Sequence, residues 1–226
     1  YRLGKIYEWR IIMATDMIHH KCFAVDIFQV PDVLDKDIMQ SMLLKINSLF
    51  QHRMDTDKQG KTTAHNNWQT EHNLHTIPEF KKLSKFLIKL NTDLIRKKGY
   101  NVDSIRISDM WANVLRPGET HPIHTHSNNF LSGVYYLHSD EASSIIFADP
   151  VSARDVITPR KHENNTENSG MLVFKSIPNT AYIFPSWLKH YVPVHKGTMN
   201  RISISWNIQL VGQVGEHHEF QSAEFK

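Results

Sequence analysis

Beyond Gly99 the chain is cut into short apolar runs by closely spaced turn signals. The runs are rich in Val, Ile, Tyr, Trp and Phe and fall at 104–115, 131–138, 143–149, 171–175, 180–184, 190–194 and 200–210. Pro117-Gly118, Ser139-Asp140, Pro150, Gly170, Pro178-Asn179, Pro185 and Lys196-Gly197 separate them. β-Branched and aromatic residues suit the pleated, half-buried surface of a sheet, and Gly and Pro punctuate it. Strands this short and this evenly spaced predict a β-sandwich, jelly roll or barrel.

Upstream the period changes. Residues 22–30 (CFAVDIFQV) predict a strand that Pro31-Asp32 ends. Over 36–50, Ile38, Met42, Leu43, Ile46 and Phe50 recur at helical spacing behind Asp35, a residue suited to capping. Over 78–98, Phe80, Leu83, Phe86, Leu87, Leu90 and Leu94 mark one face of a second helix, with Gly99 as its stop. Between the helices, residues 51–76 are polar and carry His52, His65, His72 and His75, which predicts a long surface loop of the kind that often serves function. The expected architecture is mainly β with flanking helices, as one domain over 1–226. Its helical part covers about 22–98 and its β core about 100–212.

Composition excludes several classes. With 40% hydrophobic and 22% charged residues, the chain is globular. No apolar run reaches the roughly 18–20 residues of a membrane-spanning helix, so no membrane partner is expected. A formal charge of +3, from 26 Lys+Arg against 23 Asp+Glu, argues against a nucleic-acid partner. Cys22 is the single cysteine; it excludes an internal disulfide and fits a reducing, cytoplasmic compartment. The outlying count is fifteen histidines, the commonest metal ligands.

Two stretches gather the chemistry. In the first, Pro117 to His126, side chains at i and i+2 of an extended segment share a face, so His124 and His126 can meet one ion. His121 precedes them, but Pro122 argues against a regular strand there. In the second, His190 opens a strand, and Arg201-Ile202-Ser203 lies in the next one, with Arg201 and Ser203 on one face. An arginine inside a β core is costly unless it meets an anion, and its planar fork suits a carboxylate. Trp111 and Asn113 alternate on the strand leading into the first stretch; Trp111 and Trp206 are expected to pack in the core, and His195 and His138 to face solvent.

The combination of Pro117-Gly118, His124-x-His126, Ser132-Gly133-Val134-Tyr135-Tyr136-Leu137, a distal His190 and Arg201-x-Ser203 resembles the Fe(II)- and 2-oxoglutarate-dependent oxygenases. Within them it is most similar to a bacterial and phage group that also carries a segment like Trp68-Gln69-Thr70. The resemblance implies a double-stranded β-helix core, a jelly-roll variant. It implies Fe(II) held by His124, His126 and His190. It implies 2-oxoglutarate bound through Arg201 and Ser203, with Asn113 and Tyr136 beside it. The activity implied is hydroxylation of a small-molecule or protein side-chain substrate with release of succinate and CO2, in the cytoplasm (the host's, for a phage protein). One departure stands out: the family has Asp or Glu where this chain has His126, and three histidines also suit zinc. The alternatives are a metal-binding cupin-like module, isomerase or ligand-binding, and a structural component in which residues 51–76 form an interaction surface. Arg154, Arg160, Lys161 and His162, between two strands, raise the prospect of an anionic substrate.

Overall fold

A computed structural model describes residues 24–56, 67–140, 142–151, 156–216, 218 and 222–226. Cys22, His65, Arg154 and His217 lie outside them. In chain order the elements are β1 (Phe28–Val30), α1 (Lys36–Thr56), β2 (Trp68–Gln69), two single-turn 3-10 segments (Leu74–Thr76 and Pro78–Phe80), α2 (Lys81–Lys97) and β3 (Ser104–Leu115). Then come β4 (His121–His124), β5 (Leu131–His138), β6 (Ser144–Ala148), β7 (Met171–Lys175), β8 (Thr180–Pro185), β9 (His190–Val192), β10 (Arg201–Val214) and β11 (Ala223–Phe225).

The strands form two antiparallel sheets. The larger runs β1-β8-β5-β10-β3-β2, with β11 paired to the far end of β10; the smaller runs β4-β9-β6-β7. This is the expected β core with helices outside it. Both faces of the larger sheet are covered, and its strands show why. On β10, Ile202, Ile204, Trp206 and Ile208 face the helices and pack with Met42 and Ile46 of α1 and Leu83 and Leu87 of α2. On β5 and β8, Val134, Tyr136, Tyr182 and Phe184 face the other way and pack with Ile145, Phe147 and Leu188 of the smaller sheet and its approach. Alternate residues therefore serve two cores, which explains why these strands read as continuous apolar runs. Gly133 is required where β5 passes Trp206, because a Cβ there would overlap the indole.

Several boundaries differ from expectation for identifiable reasons. The strand expected over 22–30 pairs with β8 only at Phe28–Val30, while Val25 and Ile27 pack against the second core. Helix α1 continues to Thr56, past the expected end at 50, which shortens the polar connection. Helix α2 begins only after the 3-10 turn at Pro78, and ends as expected at Gly99, whose φ of 85° supplies the left-handed residue. Pro122 argues against a regular strand, and the strand that forms across it, β4, is irregular. β4 is an edge strand with a register shift between His121 and His124, and an edge tolerates a residue without an N–H.

Candidate metal centre and carboxylate pocket

His124 ends β4 and His190 opens β9, and the two are direct register partners. His126 follows in the loop, its backbone N–H donating to the Ser186 carbonyl at 2.9 Å. The three imidazoles form a cluster in which one ligand nitrogen from each lies within 4.8 Å of the others. Backbone carbonyls select their tautomers. His124 Nδ1–H donates to the Pro122 carbonyl at 2.9 Å, and His190 Nδ1–H to the Leu188 carbonyl at 2.8 Å. At His190 this bond leaves Nε2 facing the cluster, the arrangement seen where an outer partner orients a ligating histidine. His126 Nε2 sits 3.3 Å from His190 Nε2. Adjacent ligands on one ion at about 2.1 Å stand roughly 3.0–3.4 Å apart, so this spacing fits a shared cation.

The electrostatics favour the ligating form. Burial, reinforced by His124 and His121, lowers the pKa of His126 to about 4. Burial lowers that of His190 to about 3, with His124 adding to it and the Leu188 carbonyl opposing it. Both are neutral at pH 7, as a metal requires. Phe184 and Phe147 pack on His190 with ring centroids at 4.7 and 5.8 Å and keep water from one side.

The same cavity reaches Arg201, Ser203 and Ser205 on the inner face of β10. Register places Ser203 between Asn113 of β3 and Tyr136 of β5, and Ser205 beside Trp111. Arg201 is only 3% exposed and its guanidinium stands 4.8 Å from the Tyr136 ring centre. Its Nε and the Tyr136 hydroxyl are both buried without a hydrogen-bond partner. Burial raises the Tyr136 pKa, with Arg201 pulling the other way, so the phenol stays a donor. A buried cation and two stranded donors, with no Asp or Glu among the residues lining the cavity, define a receptor for an anion. Asn113 also lines it; its Oδ1 accepts from Gln69 Nε2 at 2.8 Å and its Nδ2 donates to Ser205 Oγ at 3.2 Å.

The other histidines separate clearly. His121 lines the cavity, with its ring 4.6 Å from His124, but Asn67 Nδ2 donates to its Nδ1 at 2.6 Å. His195 was expected at the surface and is instead 2% exposed; its Nε2 bonds the Met199 carbonyl at 2.7 Å and braces the Lys196-Gly197 turn. His138, also expected at the surface, is half-buried at the end of β5 and does not line the cavity. Arg160, Lys161 and His162 are exposed and do not line it either. Trp206 is core, as expected. Trp111 is not simply core: it lines the cavity, and His72 stacks on it at 4.8 Å. Asn67 and the role of Trp111 were missed in the sequence. The alternation of Trp111 with Asn113 was the available signal for the tryptophan; nothing local marked Asn67.

Comparison with known proteins agrees with this geometry. Residues 109–207 match the family model described as "Putative 2OG-Fe(II) oxygenase". No curated protein matches the chain. Among solved structures, a Pseudomonas putida prolyl-4-hydroxylase is similar at 11% identity and a TM-score of 0.56, over 82% of this chain and 93% of that one. The viral collagen prolyl hydroxylase of Paramecium Bursaria Chlorella virus-1, in its 2OG complex, is similar at 13% identity and 0.52, over 82% and 96%. HygX from Streptomyces hygroscopicus, with nickel and 2-oxoglutarate bound, is similar at 10% identity and 0.53, over 89% and 91%. At these identities the likeness shows the fold, a double-stranded β-helix. The span that matches this family model, residues 109–207, carries all three clustered histidines and Arg201.

Proposed function

We propose that His124, His126 and His190 hold Fe(II), and that Arg201, Ser203 and Tyr136 receive the far carboxylate of 2-oxoglutarate. The observation that carries this reading is the buried Arg201, paired with no carboxylate among the described residues and lining one cavity with the histidine cluster. A metal-binding module alone has no use for it. When bound, Fe(II) and 2-oxoglutarate supply the oxidising chemistry, in which dioxygen, 2-oxoglutarate and a substrate C–H become succinate, CO2 and C–OH.

The chain's own residues do the rest. Arg201 offers a planar pair of donors, which fixes a carboxylate in orientation as well as position. The Ser203 and Tyr136 hydroxyls flank it from the same strand row. Asn113, braced by Gln69, keeps the β3 wall polar beside Ser205. Phe147 and Phe184 exclude water from the metal side. The substrate is a small molecule or a protein side chain. In this reading the chain is a single domain acting in the cytoplasm; no described helix is long and apolar enough to cross a membrane.

Anaerobic titration of the metal-free protein tests the reading. Fe(II) followed by 2-oxoglutarate should give a visible charge-transfer band, and Arg201→Ala should not give it at the same concentrations. Stoichiometric iron binding with no response to 2-oxoglutarate in the parent protein would leave a metal site and no oxygenase.

A further inference from the structure

The charges around this cavity do not balance once the proposed ligands are in place. None of the described residues lining it is acidic, and its three clustered histidines are neutral donors. Fe(II) and Arg201 bring three positive charges, and the 2-oxoglutarate dianion returns two. A carboxylate at position 126 would cancel the remainder, but the chain places a neutral imidazole there. One positive charge is left in a partly open cavity beside buried groups, where it is less screened than in bulk water.

A second observation locates what answers it. Trp111 is 7% exposed, lines the cavity, and its Nε1–H is buried with no acceptor. The indole lies between two rings: His126 with its centroid at 5.8 Å, and His72 stacked at 4.8 Å with 25° between planes. It is therefore held in place beside His126. Buried donors are almost always satisfied, so a stranded N–H in a cavity wall marks a place for a ligand acceptor. Arg201 and Tyr136 supply the stranded donors of the 2-oxoglutarate end; Trp111 of β3 stands at the metal end, the register partner of Ser205 on β10.

We propose that the primary substrate carries an anionic oxygen group, a carboxylate in its simplest form, received beside His126 by the Trp111 indole N–H. This rests on the oxygenase reading above and names the substrate class for the same site. A neutral acceptor could satisfy the N–H, but only an anion also answers the residual charge. In this assignment Trp111 is a specificity-determining residue, and the histidine at 126 has a consequence beyond holding metal: it selects for charge.

The test uses Co(II) as a metal with a visible spectrum, saturating 2-oxoglutarate, and two small probes of similar shape, formate and its neutral analogue formamide. Formate should perturb the Co(II) absorption at least about ten-fold more tightly than formamide, the scale of a hydrogen bond to a charged group. His126→Asp should remove most of that preference while retaining metal. Trp111→Phe keeps the ring and loses the donor; it should weaken formate several-fold while leaving Co(II) and 2-oxoglutarate affinity in place. Equal binding of formate and formamide, or an unchanged preference in His126→Asp, overturns the inference. A Co(II) spectrum that ignores 2-oxoglutarate overturns the oxygenase reading itself, and the substrate assignment falls with it. The two failures are thus read from separate titrations.

Discussion

His124 and His190 face each other as register partners across β4 and β9, and each donates its Nδ1–H to the carbonyl two residues before it. The same local device is used twice, and it leaves the His190 Nε2 3.3 Å from that of His126. Neither ring can be exchanged for another side chain without losing both the ligand and its orientation.

Iron binding should therefore depend on the cluster and on no other histidine. His190→Ala and His126→Ala should each abolish stoichiometric Fe(II) binding, measured by metal analysis after anaerobic loading. His138→Ala should leave it intact. His195→Ala should also keep iron but unfold more easily, by about 1 kcal/mol in chemical denaturation, because it empties a buried ring site and removes the bond to the Met199 carbonyl. Full iron occupancy in His126→Ala would point instead to His121.

Arg201→Ala should cripple 2-oxoglutarate binding while iron stays bound. Truncating one half of a buried charge pair costs about 2–5 kcal/mol. That is on the order of 30- to several-thousand-fold in affinity. Arg201→Lys should recover only part, since an ammonium lacks the fork. Calorimetric titration with 2-oxoglutarate decides it, and an unchanged affinity in the alanine variant would contradict the role given to Arg201.

The two depressed histidines set a pH window for the metal-free protein. His126 and His190 titrate in the fold near 4 and 3, below the ordinary 6.5 of an unfolded chain. Below about pH 6.5 the unfolded state takes up protons that the folded state refuses, so stability falls as pH falls. Each histidine contributes at most about 1.4 kcal/mol per pH unit until its own folded pKa is reached. Denaturant midpoints at pH 7.5, 6 and 5 should drop in that order, and His126→Gln should flatten the slope. A slope identical in that variant would show that His126 is not the group responsible.

Gly133→Val should destabilise the domain. A Cβ at that position overlaps the Trp206 indole, which is fully buried. Overpacking of this kind costs roughly 1–3 kcal/mol. The loss should appear in thermal denaturation, and an unchanged midpoint would mean that the indole has room to move.

Much of this was legible because the chemistry is carried by side-chain alternation. Arg201-x-Ser203 needs only a period of two to share a face, and His126 reaches His124 from the loop just past the end of β4. The positions that escaped depend on partners far along the chain. Pro122 argued against a regular strand, and only the edge position of β4 admits the irregular one that forms. His195 looked exposed beside a glycine turn, but that turn folds under Asp140, which accepts the Thr198 N–H at 2.9 Å, and buries the ring. Asn67 reaches His121 across 54 positions, a separation no local pattern encodes.

The proposed metal ligands and the arginine come from different sheets. His124 and His190 belong to the smaller sheet, Arg201 to the larger, and β4 is joined to its own sheet at only two register positions, His121 with Val192 and His124 with His190. A co-substrate gripped at one end by Arg201 and at the other by the histidine-held ion acts as a strut between the two sheets. Loading the site should then slow amide exchange in β4 and β9 most, and in the β10 interior least. The strand that carries the first ligand is thus also the one whose order depends on its cargo.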